Sequence, residues 1–164
     1  MSEKPEIARF EPHVSATAME TEPLVWAVDT RHLPFYWFPR DCPRGTFWAD
    51  VGSDPPDVER LLGGSLRVHA IEDRWREPMR SSTVFAYRLP EEAFEPHPEV
   101  GGYWIAREPI EPVGVEPLAD LVGLHERAQI ELRVLANLWP LWNEVVASTL
   151  EFSGMRLRYA LPPG

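Results

Sequence analysis

The stretch PFYWFPRDCPRGTFW, residues 34–48, concentrates the groups in this chain that could do chemistry. Phe35, Tyr36, Trp37, Phe38, Phe47 and Trp48 supply ring faces. Arg40 and Arg44 each follow a proline, and Cys42 lies between them. Aromatic faces around fixed guanidinium groups suit a planar, anionic ligand, because rings stack while the guanidinium fork grips an anion through two parallel hydrogen bonds. The same residues also fit a core strand followed by a turn, with Arg40 and Arg44 paired to Asp29, Asp41 or Asp50. Both readings stand at the level of sequence.

Other reactive side chains are scattered. His13, His32, His69, His97 and His125 show no ligand spacing, and one cysteine cannot build a thiolate site, so no metal centre is expected. His32 adjoins the aromatic–arginine stretch and joins it as a candidate. Neighbouring arginines would lower the pKa of Cys42, but Asp41 is adjacent and no His–Asn pattern accompanies it. A buried, inert thiol is the preferred reading. Glu108 follows GGYWIAR, with Glu111 shortly after. A carboxylate at a strand end can steady positive charge or act as a base. Alternatively, both glutamates belong to a solvated acidic face. Trp139 and Trp142 have helical spacing and read as core. Gly63-Gly64 and Gly101-Gly102 are isolated turn pairs, not a phosphate-cradling loop.

Composition narrows the classes. A chain of 164 residues is expected to form one domain. Hydrophobic content of 44% and aromatic content of 11% exclude intrinsic disorder. A net charge of −10 repels phosphate backbones, so nonspecific nucleic-acid binding is not expected of the surface as a whole, with a local positive patch left open. Glutamates crowd residues 91–99 and 108–116, whereas arginines crowd 31–44 and 67–80. Lys4 is the only lysine, which reads as codon bias. No apolar run reaches the length of a membrane span, and the opening MSEKPEIARFEPH lacks the apolar region of a secretory signal. With a lone cysteine, a cytoplasmic, reducing compartment is expected.

The elements that must position these residues follow from pattern and punctuation. Residues 1–22 read as an irregular lead-in anchored by Ile7 and Phe10. PLVWAV (23–28) is a buried strand. Pro34 argues against a helix interior over 31–38, where Phe35–Phe38 suit a strand. GTFWA (45–49) is extended. SDPPDVERLLGG is a helix capped by Asp54 and stopped by Gly63 and Gly64. Strands are expected over 65–72 and 83–89, joined by an irregular basic connection. PEEAF (90–94) is a helical turn, and 102–107 and 109–115 are strands. Helices are expected over 117–128 and 139–151, with a strand over 130–135 between them. Strands with interspersed helices define an α+β chain.

The segments VWAVD (25–29), PFYWFPRDCPR (34–44), RVHAIE (67–72), FAYRLP (85–90), GGYWIAREPIEP (101–112) and NLWPLWNEVVASTL (137–150) resemble a bacterial family of small uncharacterised proteins. The order VWAVD, PFYWFPR, GYWIA and EPIEP also resembles ADP-ribosyltransferase-like proteins, and PFYWFPR is similar to a segment of the thymidine-modifying toxins among them. That resemblance implies a bent, mixed or antiparallel sheet that grips NAD. Nicotinamide departs, and a glutamate steadies the oxocarbenium-like centre left on the ribose. Carried onto this chain, it implies that Arg40 and Arg44 hold phosphate, that Tyr36 and Trp104 stack on rings, that His32 helps to hold the dinucleotide, and that Glu108 is the carboxylate. The family's opening strand, with its Tyr–His pair, would either lie ahead of Met1 or be one this protein never had. A non-catalytic binding module on the same fold, and a protein-interaction role for the seven tryptophans, are the alternatives.

Overall fold

Short apolar runs and frequent prolines produce many short elements. The computed structural model describes residues 1–14 and 21–163. The part of the expected lead-in at 15–20 lies outside them. The chain divides into two compact units interleaved in sequence, Met1–Trp37 with Val84–Leu118, and Phe38–Thr83 with Ala119–Gly164.

The first unit is all strand and turn. β1 (Val25–Val28) pairs with β6 (Tyr103–Ala106), which also pairs with β5 (Glu95–Pro96); both pairings are antiparallel. β4 (Val84–Arg88) pairs antiparallel with β7 (Gly114–Leu118). The lead-in is stitched on by single bridges, Ser2 to Phe85, Phe10 to Ile110 and His13 to Leu24. Phe10 packs with Leu89 and Phe94 around buried Val25, Ala106 and Ile110, as its role as an anchor requires.

The second unit is a mixed sheet ordered β8 (Glu131–Leu135), β3 (Arg67–Glu72), β2 (Arg44–Trp48), β9 (Glu151–Met155). Only the β3–β8 pairing is parallel. β2 and β3 are central and almost wholly buried, and they carry Arg44, Thr46, His69 and Glu72 into the interior with their apolar residues. α1 (Pro55–Asp57) runs directly into a π-helical turn, Val58–Leu62, which Gly63 ends at φ +57°. α2 (Arg76–Ser81), α3 (Leu121–Arg127) and α4 (Trp139–Val146) complete the unit. Phe47, Val68, Ala70, Leu61, Leu62, Leu138, Val145 and Leu150 form its core. Two strand glycines admit one indole. Gly45 and Gly154 are register partners, and a Cβ on either would stand 2.8 or 2.6 Å from Trp142.

The α+β expectation holds, but three sheets replace the expected one. Other differences have local causes. Residues 33–36 form a 3-10 turn rather than a strand, because Pro34 pre-sets its first residues and Asp29 accepts from the His32 N–H. The basic connection folds as a 3-10 turn and α2, with Pro78 in the first turn, where no N–H is needed. The helix expected from Pro117 starts at Leu121, where the Asp120 side chain accepts from Gly123 N at 3.1 Å; Pro117 belongs to edge strand β7. α4 stops at Val146. There the Ser148 hydroxyl donates to Val145 O and the Asp57 carboxylate accepts from Thr149, releasing Glu151–Met155 to become β9. Among the described residues, no helix is long and apolar enough to cross a membrane.

Candidate functional site

In the first unit, the turn after β1 builds a positioned imidazole. The backbone N–H of Asp29 donates to Gly102 O at 3.0 Å. Its Oδ1 accepts from the His32 backbone N–H at 2.8 Å and pairs with the ring Nδ1 at 2.7 Å. Burial acts to raise the Asp29 pKa, but hydrogen bonds from the His32 side chain and backbone outweigh it and hold the carboxyl below its ordinary value. In the neutral ring, a carboxylate against Nδ1 keeps the proton there, and Nε2 then presents a lone pair. Among the described residues, Nε2 takes part in no hydrogen bond. Gly102 opens the space the ring needs: φ is +79° there, and a Cβ would overlap His32 Nδ1.

Aromatic rings surround this pair. His32 meets the face of Phe35 edge-on at 5.4 Å and lies 6.4 Å from Tyr103. The Tyr36 hydroxyl donates to that of Tyr103 at 3.1 Å. Trp26 packs edge-on to Tyr103 at 6.3 Å and stacks on His97 at 5.0 Å. Trp26 and Tyr103 share a face of the β1–β6 pair because Trp26 registers with Ile105. Trp104 therefore faces the other side, where it is 37% exposed. Glu108 is exposed beyond the end of β6. The structure thus joins His32 and Tyr36, with Trp104 and Glu108 set elsewhere in the same unit. Asp29, Trp26 and Tyr103 are the members that sequence reasoning missed. An Asp three residues before a His at the mouth of a proline turn is a readable signal, and strand alternation could have selected Tyr103 over Trp104.

Arg40 and Arg44 belong to the second unit. Arg40 is exposed. Arg44 is buried: it donates to Cys42 O at 3.0 Å and to Met155 Sδ at 3.1 Å, and its guanidinium lies 4.8 Å from the centre of the Phe38 ring. It is a core cation bound to its own unit. Cys42 is buried too. Burial pushes its thiol up to about 12, against the pull of Arg44 and with a smaller push from Glu72. The inert thiol expected from sequence is what the surroundings produce. Beside it lie groups the sequence reading passed over as strand and helix residues. His69 on β3 and His125 on α3 are fully buried and bonded to each other at 3.0 Å. Glu72, at the end of β3, is a fully buried carboxylate.

An α+β chain, with a first unit of strands and turns that carries an aromatic histidine cluster and a second of strands and helices, defines the class of protein. A family model described as "Family of unknown function (DUF6886)" matches residues 1–160, and the chain belongs to that family. No curated protein and no solved structure matches it, so the likeness to ADP-ribosyltransferase-like proteins rests on the sequence segments alone.

Proposed function

We propose that the first unit binds a ribose-containing nucleotide of the NAD or ADP-ribose kind, with His32 as the residue that recognises the sugar. One observation carries the reading: Asp29 fixes His32 with Nε2 as a lone-pair acceptor, and a ribose hydroxyl is the donor that such a nitrogen takes. Trp26 and Tyr103 supply ring faces, and the paired Tyr36 and Tyr103 hydroxyls supply further polar contacts. The order of segments shared with ADP-ribosyltransferase-like proteins favours a dinucleotide over other sugars. In a transfer reaction, nicotinamide would leave the ribose and a carboxylate would steady the resulting cation. Glu108 is the carboxylate the resemblance offers.

Titration calorimetry with NAD and with ADP-ribose tests the binding. Heat is expected with at least one of them, weakened tenfold or more in His32→Ala. No heat with either ligand at millimolar concentration refutes it. The exposure of Glu108 favours a second reading, binding without turnover. Nicotinamide release that disappears in Glu108→Ala would exclude that second reading.

A further inference from the structure

The last described segment of the second unit is held by side chains that hydrogen-bond to its backbone. Leu161 N–H donates to Glu72 Oε1 at 2.8 Å, and Leu161 O accepts from Trp139 Nε1 at 2.7 Å. Asn137 Nδ2 donates to Pro162 O at 2.9 Å, and the Arg74 guanidinium donates to Tyr159 O. The segment is extended beyond a 3-10 turn, with Ala160 at φ −65° and ψ 157°. Its side chains are not what is held: Tyr159 is 40% exposed and Leu161 37%. Four side chains from the end of β3, from the turn after it and from the start of α4 thus converge on one stretch of main chain.

This is how a protein recognises an extended peptide: main-chain hydrogen bonds supply the hold, and an indole N–H meets a carbonyl beside a proline. After residue 161 the groove supplies donors alone, which suits Pro162 and Pro163 because neither has an N–H to satisfy. Glu72 carries the anchor. It is fully buried, braced by Arg74 Nε at 3.0 Å, and accepts the strap's one clamped N–H.

We infer that Glu72, Arg74, Asn137 and Trp139 form a binding groove for an extended, proline-containing peptide of a partner protein. Residues 159–162 occupy it in cis and must be displaced for the partner to enter. The inference is independent of the nucleotide reading, which concerns the other unit.

A labelled peptide with the sequence RLRYALPPG, residues 156–164, is titrated into the full chain and into the full chain carrying Leu161→Pro. That substitution removes the N–H held by Glu72 and leaves the groove intact. Losing one charge-assisted hydrogen bond loosens the strap by about tenfold, so the peptide is expected to bind the variant about tenfold more tightly. Adding Trp139→Phe should abolish that gain. Equal affinity for the two chains overturns the inference, as does a dimer that grows with chain concentration and is dissolved by the peptide, since that assigns the groove to a second copy. Amide exchange on the unsubstituted chain gives a reading that needs no variant. The Leu161 amide is expected to exchange through local opening, far faster than the amides of β3. Exchange as slow as β3 overturns the inference.

Discussion

Acidification from pH 7 to pH 5 should destabilise the second unit through its buried histidine pair. His125 Nδ1 donates to Leu121 O at 2.6 Å, so its Nε2 has no proton and accepts from His69 Nδ1 at 3.0 Å. A proton added to His125 Nε2 would set one N–H against another. Phe38 lies 5.6 Å from one ring and 5.1 Å from the other, and offers neither a counter-charge. Burial lowers His125 from 6.5 to about 4, against a small upward pull from its bond to Leu121. Burial lowers His69 well below 6.5, helped by the neighbouring His125, Arg67 and Arg44. The unfolded chain therefore takes up protons near pH 6.5 while the folded chain does not. The stability that this pair contributes is complete above pH 6.5 and falls as the pH drops toward 4. At about 1.4 kcal/mol for each unit of separation, His125 alone removes about 3 kcal/mol over that window, with His69 adding in the same direction. A domain's whole stability is about 5–15 kcal/mol, so the loss is large.

Urea titrations at pH 7, 6 and 5, followed by far-ultraviolet circular dichroism, measure the effect. Asp29, Asp57 and Glu131 also have lowered pKa values, but such carboxylates lose stabilisation only as the pH falls below their ordinary values of 3.8 to 4.5. The interval from pH 6.5 to 5 therefore belongs to the histidines. The double variant His69→Leu, His125→Leu removes both titrations and the polar pair together, and its urea midpoint should be nearly flat across the interval. A flat midpoint in the unsubstituted chain, or an undiminished slope in the double variant, would refute the reasoning.

Two further outcomes follow from single positions. Gly102→Ala should cost about 2 kcal/mol or more, because the left-handed backbone is strained for alanine and the new Cβ would overlap His32. Thermal unfolding reads the loss, and a His32 ring resonance unchanged from the unsubstituted protein would contradict it. Cys42, buried and pushed up to about 12, should resist maleimide at pH 8 until urea unfolds the chain; labelling at native concentration within minutes would show the thiol to be accessible.

How far the fold was legible depended on whether a segment's neighbours were local. β2, β3, β4 and β8 fell within a residue or two of their expected places because each carries its own apolar run and turn residues. β9 was not expected: the expected helix runs to residue 151, and 152–155 had no element assigned. EFSGM has little strand character by itself, and what makes it a strand is the edge of β2 and the slot that Gly45 and Gly154 leave for Trp142. Pro117 carried a helix-start signal that Asp120, three residues later, answers with an observed cap. Such contests are decided by tertiary partners, which a periodicity scan does not contain.

The site shows the same division more sharply. Residues 34–48 looked like one cluster because rings and cations adjoin in sequence, yet the boundary between the units falls after Trp37. On one side, Tyr36 and His32 serve an aromatic cluster whose other members, Trp26 and Tyr103, arrive from β1 and β6. On the other, Arg44 is consumed by its own core, and Cys42 is sealed beside it. Density of reactive residues along the chain therefore pointed at the turn that holds His32 and Tyr36, and grouped it with residues of the other unit. The rings marked the turn because large aromatic surface must be buried somewhere, whereas Arg40 and Arg44 adjoin it in sequence and fold with the other unit. What distinguishes His32 is a carboxylate three residues upstream and a glycine from another strand that makes room for the ring. The first of these is written in the local sequence. The second becomes visible only when β6 is laid beside β1.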